Sequence, residues 1–266
     1  MLLLLPPSET KRAGGSGAFD PTALRHADAL RSARERVRGA LETVSSDPEC
    51  AIKALKLGVK NRDEAKRNLE LESSGVLPAI ERYTGVLYDA LDVASLDADA
   101  RAWLHAHVAV QSALFGLIGA GDPIPAYRLS ASSRLPALNA PMKRIWTEAH
   151  EHAGWHTESD FILDLRSQDY AALAPLPEGA GWFLHVAQRA EDGEVRALNH
   201  FNKSAKGDLV RRLATSAARI DDIDGLLTWA AAQQLEMHID AAHAVVTLVT
   251  DHGAPGRDAM RVSEAG

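Results

Sequence analysis

The chain begins with four consecutive leucines, Leu2 to Leu5, stopped by Pro6 and Pro7. An apolar run this short, bounded by prolines, predicts a strand buried on both faces. The next stretch, PSETKRAGGSGAF, has no apolar period and predicts a loop. Asp20 and Pro21 read as a cap and first helical residue, leading into a helix with Leu24, Leu30, Val37, Leu41 and Val44 at helical intervals. Its other face, with Arg31, Arg34, Arg36 and Arg38, reads as solvent-exposed. ECAIKALKLGVKNRDEAKRNLEL predicts two short helices across LGVKN, with Asn61 and Glu64 as a start signal for the second. VLPAIERYTGVLYDAL mixes helix and turn signals, and DADARAWLHAHVAVQSALFGLIG predicts a helix feeding a strand. The remaining strand candidates are HVAVQSALFG, DFILDL, GWFLHVAQ, VRALNHF and AHAVVTLVT, with helices near 139–153, 203–217 and 222–234. Interleaved helices and strands point to an α/β fold with a mixed sheet. With no repeat and no linker, the expectation is one domain over 1–253 and a disordered tail over 254–266.

Composition adds limits. The chain has 266 residues, 46% of them hydrophobic and 24% charged, which describes an ordinary globular protein. Cys50 is the only cysteine, so no internal disulfide is possible, and the expected compartment is the cytoplasm. The four leucines are too few for a signal-peptide core, and no stretch is long and apolar enough for a membrane span. The formal net charge of −7 lowers the expectation of a polyanionic partner. It hides local excesses: residues 200–220 hold 5 Lys+Arg against 1 Asp+Glu, whereas 221–266 hold 2 against 8.

Several familiar chemistries are not written in the chain. His105 and His107, and His150, His152 and His156, are dense, yet none fits a His-Glu-x-x-His pattern or comes with a third ligand, so no metal site is expected. Cys50 has no base beside it, and there is no Gly-x-Ser-x-Gly elbow. AGGSGAF lacks the Lys-Ser/Thr ending of a phosphate loop. No cofactor is expected.

Three segments carry candidate anion chemistry. Residues 52–68 have the outline of a helix-hairpin-helix, whose turn amides would grip a phosphate with Lys56, Lys60, Arg62, Lys66 and Arg67 around them. DPIPAYRLSASSRLP gathers Tyr127, Arg128 and Arg134 as a clamp for phosphate or carboxylate; the competing reading pairs Arg128 with an internal carboxylate such as Asp164 or Asp169. HFNKSAKGDLVRRL starts a helix near Lys203, and its outward amides, with Lys203 and Lys206, suit an anion. Gly207 there would leave room for a ligand, and Arg211 and Arg212 follow one turn on. A plain solvated helix face is the alternative.

Taken in order, LLLLPPSETK, RYTGVLYDAL, SALFGLIGAGDPIPAYRLSASSRL, KRIW, FILDLRSQDYAAL and HFNKSAKGDLVRRL resemble the YaaA peroxide-stress family. The resemblance implies a single-domain α/β fold with a positively charged cleft and a helix-hairpin-helix element. It also implies a cytosolic role in limiting iron-dependent peroxide damage, and binding of double-stranded DNA. Tyr127, Arg128, Arg134, Asp169, Tyr170, Lys203, Lys206 and Gly207 fall on the family's shared positions. Departures matter too: Glu9 stands where a lysine is usual, making Lys11 the nearest cation, while Ser204 replaces a basic residue and Lys206 replaces an arginine. Each lowers the cleft potential, so DNA binding is expected to be weak and indifferent to sequence. The other class of function is an enzyme or small-ligand protein acting on a nucleotide or acyl-phosphate. In that reading Tyr127 or Tyr170 donates a proton and Asp169, with Glu9 nearby, supplies a base.

Overall fold

The computed structural model describes residues 1–189, 195–197 and 202–250. In chain order the elements are β1 (Leu2–Leu5), α1 (Ala27–Ser45), α2 (Pro48–Ala54), β2 (Leu77–Pro78), α3 (Ala79–Arg82), α4 (Val86–Leu91), α5 (Ala98–His107), β3 (Val108–Ser112), β4 (Gly116–Gly119) and β5 (Pro123–Ile124). The second half holds α6 (Met142–Ala153), β6 (Ile162–Asp164), α7 (Gln168–Ala171), β7 (Trp182–Arg189), β8 (Val195–Ala197), α8 (Asn202–Thr215), α9 (Ile223–Ala232), β9 (Glu236–Asp240) and β10 (Val245–Thr250). The expected mixed α/β sheet is present, in the order β4-β3-β1-β6-β7-β10-β9 with β8 against β7.

The four opening leucines form its centre. β1 runs parallel to both neighbours, with Leu3 opposite Val108 and Leu2 opposite Ile162. Leu3 and Leu5 pack into the larger hydrophobic core on one face, while Leu2 and Leu4 join Trp155, Ile162 and Leu117 on the other. Burial on both faces is why this strand reads as a continuous apolar run. α5 passes directly into β3, after starting at Asp97, whose carboxylate accepts the Ala100 N–H at 2.8 Å.

Several elements differ from their sequence expectation. HVAVQSALFG is not one strand: Ser112 Oγ accepts the N–H groups of Leu114 and Phe115, turning the chain into the antiparallel β4. Between Asp20 and α1 lies a short 3-10 turn, Pro21–Ala23. Arg34 is not on an exposed face. It is buried, donating Nε to Phe115 O at 2.8 Å and Nη2 to Arg25 O at 2.6 Å.

Nor does the 52–68 segment form the expected pair of α-helices. Its second arm is a 3-10 stretch, Val59–Leu69, that starts after Gly58 rather than at Asn61 and buries only Ala65 and Asn68. Without an apolar stripe at 3.6-residue spacing, nothing holds this arm in the α form. β9 had no period-2 signal because four of its five residues are exposed at the sheet edge. Among the described residues no helix is long and apolar enough to cross a membrane. His200 and Phe201, and the tail expected over 254–266, lie outside the described residues.

Candidate functional site

The chain leaves β1 toward β3 on one side of the sheet and leaves β6 toward β7 on the other. The segments following β1 and β6 therefore diverge, and a crevice opens beyond the carboxyl ends of these two strands, the usual ligand position in open α/β sheets. Here it is a cleft of about 550 Å³ lined by Pro6–Thr10, Thr84–Tyr88, Ser130–Ser132, Leu165, Ser167, Asp169, Tyr170 and the first turns of α8. Gly85, at φ 100°, lets the start of α4 close over the β1 loop, since a Cβ there would lie 3.3 Å from Ser8 Oγ and 3.4 Å from Thr10 Oγ1.

Cations reach this cleft from α8. Lys203 is exposed and Lys206 buried, and both line it. Lys206 Nζ donates to Leu165 O at 2.9 Å, and burial lowers its pKa to about 8, partly opposed by Asp164. Glu9, Asp169 and Tyr170 complete the charged and phenolic lining. Tyr170 Oη accepts the Ala131 N–H at 3.3 Å, and burial pushes the phenol up to about 12, so it stays protonated at neutral pH.

Arg128 lies behind Glu9. Its Nη2 donates to Glu9 Oε2 at 2.6 Å and its Nη1 lies 3.1 Å from Glu64 Oε2, so two carboxylates surround the guanidinium. Asn68 fixes that backbone by accepting the Arg128 N–H at 2.7 Å and donating to its carbonyl at 3.0 Å. The reading in which Arg128 meets internal carboxylates fits, but with other partners than those named: Asp164 is held by Arg166, through Nη2 to Oδ2 at 2.6 Å and Nε to Oδ1 at 2.9 Å.

Lys11 also sits behind the cleft wall. Its Nζ donates to Ser8 O at 2.9 Å and Glu9 O at 3.3 Å and lies 4.0 Å from the centre of the Tyr127 ring. Burial, reinforced by the Arg128 charge, lowers its pKa to about 7. Tyr127 itself is buried, its hydroxyl 2.8 Å from both Tyr83 Oη and Ser112 Oγ, and burial holds its pKa well above the ordinary value.

Other expected site residues are placed elsewhere. Gly207 serves helix packing: a Cβ there would overlap Leu87 O and come within 2.9 Å of Ala90 Cβ, so the missing side chain admits α4 rather than a ligand. Arg211 donates to Leu91 O, Asp92 O and Ser95 Oγ, closing the end of α4. Arg134 is exposed and does not line the cleft. Lys56, Lys60, Arg62 and Lys66 are exposed on the 52–68 segment, and Arg67 half-buried, away from the cleft lining. What the sequence reading passed over is a set of hydroxyls, Ser8, Thr10, Thr84, Ser130, Ser132 and Ser167. The serine-rich RLSASSR and the Ser and Thr just past β1 and β6 were the available signal. Among the described residues no three His, Cys, Asp or Glu side chains gather as metal ligands. His150 instead ties secondary structure together, Nδ1 donating to Trp146 O and Nε2 accepting the Leu117 N–H.

The family model for the peroxide stress protein YaaA matches residues 1–238. The chain belongs to this family. A UPF0246 protein of Corynebacterium glutamicum is 38% identical over 94% of this chain and 100% of its own length. Another, from Streptomyces coelicolor, is 42% identical over 82% of this chain and 85% of its own, and one from Corynebacterium efficiens is 41% identical over 81% and 86%.

Proposed function

We propose that this YaaA-family chain holds a compact phosphate- or carboxylate-bearing small molecule in the cleft beyond β1 and β6. One observation carries the reading: Lys203 and Lys206 line the cleft, beside six hydroxyls, Glu9 and Asp169. Two cations and a ring of hydroxyls match one small anion. Tight duplex binding rests on about 6–10 phosphate contacts, whereas Arg128 here is occupied by Glu9 and Glu64, and Arg211 by carbonyls. Asp169 as proton acceptor and Tyr170 as proton donor make a reaction on that ligand chemically feasible. In the cell the proposed role is cytoplasmic, limiting iron-dependent damage during peroxide stress.

A second reading, sequence-indifferent DNA binding, is favoured by a different surface. Lys53, Lys56, Lys60 and Arg62 are exposed within ten residues, none with a carboxylate ion partner among the described residues. A thermal-shift screen of phosphate, pyrophosphate and nucleotides, run beside duplex DNA titrations at two salt concentrations, separates the two readings. A small anion at about 100 times its Kd should stabilise the fold by about 2.7 kcal/mol, and Lys203→Ala/Lys206→Ala should remove the effect. The cleft reading fails if no small anion stabilises the protein. Salt-sensitive DNA binding that survives this double variant but is lost in Lys56→Ala/Lys60→Ala/Arg62→Ala supports the second.

A further inference from the structure

Lys206 is more than one of the cleft's two charges. Its side chain crosses from α8 into the cleft wall, with the residue only 7% exposed. Its one hydrogen bond among the described residues goes to Leu165 O, although an ammonium carries three donors. Among the described residues no carboxylate lies within ion-pair distance of it; Asp164, the acid whose field it feels, is committed to Arg166. On another side the Phe183 ring centre is 5.6 Å from Nζ. A lysine kept only as structural ballast against a wall would be expected to satisfy its donors, as Lys11 comes closer to doing with two carbonyls.

We propose that Lys206 is an amine nucleophile, forming a reversible imine with an aldehyde or ketone whose phosphate or carboxylate group is held by Lys203. This rests on the reading of the cleft as a small-anion site. The nitrogen lone pair attacks the carbonyl carbon, a C–N bond forms, and the displaced electron pair moves to oxygen, which takes up a proton. The carbinolamine then loses its C–O bond. Oxygen departs as water with the two protons that the neutral amine carried, and hydrolysis reverses the step with no oxidant or reductant. Tyr170 can donate the proton that oxygen requires, and Asp169 can accept the one that nitrogen gives up. Burial lowers the ammonium's pKa to about 8, which raises the fraction of neutral, nucleophilic amine near physiological pH above that of an exposed lysine.

The experiment uses the full chain and two probes with the same anion. Pyridoxal 5′-phosphate offers an aldehyde; pyridoxine 5′-phosphate does not. After borohydride reduction and peptide mapping, Lys206 should carry the pyridoxal adduct about tenfold more than exposed lysines such as Lys53, Lys60 and Lys143, and excess pyridoxine 5′-phosphate should suppress it. In Lys206→Arg the adduct at this position should vanish while labelling of the exposed lysines stays at its wild-type level. If pyridoxine 5′-phosphate stabilises the wild-type chain but Lys206 is labelled no more than the exposed lysines, the imine proposal is overturned and the anion site stands. If neither probe stabilises the protein and labelling is uniform, both fall. Because the mapping is done on the wild-type chain, a poorly folded variant does not decide the result.

Discussion

Lys11→Met should flatten the pH dependence of this protein's stability between pH 7 and 9. In the folded chain the Lys11 ammonium is enclosed by the Ser8–Glu9 backbone and the Tyr127 ring, and its pKa drops from 10.5 to about 7, mainly through burial and then through Arg128. Unfolded, the lysine is hydrated and returns to the ordinary value. Between these two values the unfolded chain binds the extra proton, so stability rises with pH; the contribution is complete above 10.5 and lost as pH falls toward 7. At about 1.36 kcal/mol per pH unit, the whole span is worth about 5 kcal/mol, of which about 2 kcal/mol is recovered from pH 7 to 9. Lys206, lowered to about 8, adds about 1 kcal/mol over the same interval. Urea unfolding should therefore show the wild-type chain gaining about 3 kcal/mol from pH 7 to 9, and the variant only the Lys206 share. The interval stops at pH 9 because Tyr83, Tyr88 and Tyr127 are held protonated in the fold. Their ionisation in the unfolded chain pulls stability down at higher pH. An undiminished gain in Lys11→Met would mean that Lys11 stays charged in the folded protein, and the desolvation argument would be wrong.

Three further substitutions separate packing from binding. Gly207→Ala forces a methyl into Leu87 O, a backbone atom that cannot swing away, so calorimetry should show a loss of about 1–3 kcal/mol that added phosphate does not specifically repair. Arg211→Ala removes the donors that close α4 and should cost about 1–3 kcal/mol in urea unfolding, with phosphate affinity unchanged; a selective loss of affinity would return Arg211 to the binding site. Arg82, fully buried, donates to the carbonyls of Ile124, Arg12, Gly14 and Gly75. Arg82→Met should cost roughly 3–5 kcal/mol and speed proteolysis of the 12–17 loop, and Arg82→Lys should rescue little because an ammonium lacks the fork that spans those carbonyls.

Much of the architecture was legible because its cause is local. Pro6 and Pro7 bound the leucine run that became β1, the helices expected in DADARAWLHAH and near 222–234 are α5 and α9, and the spacing of Leu30, Val37, Leu41 and Val44 marks the buried side of α1. β9 was not legible, since an exposed edge strand has no alternation to read, and neither was the 3-10 winding of Val59–Leu69. Arg34 shows the limit of helical periodicity: it occupies a position that looks solvated until Phe115 and Arg25 bring their carbonyls to it.

For the site the division is sharper. The basic block at the start of α8 pointed to Lys203 and Lys206, and the family resemblance added Glu9, Asp169 and Tyr170; all five line one cleft. The sequence could not say which cations remain available. Arg128 is taken by Glu9, 119 positions away in sequence, and by Glu64; Arg211 is taken by Leu91, 120 positions away. Hydrophobic period and capping depend on neighbours a few residues apart, and the sequence by itself determined those, together with the family. Ion pairing, burial and the pKa shifts that follow depend on groups that meet only when β1 and β6 lie side by side and send their loops apart, and these the tertiary structure decided.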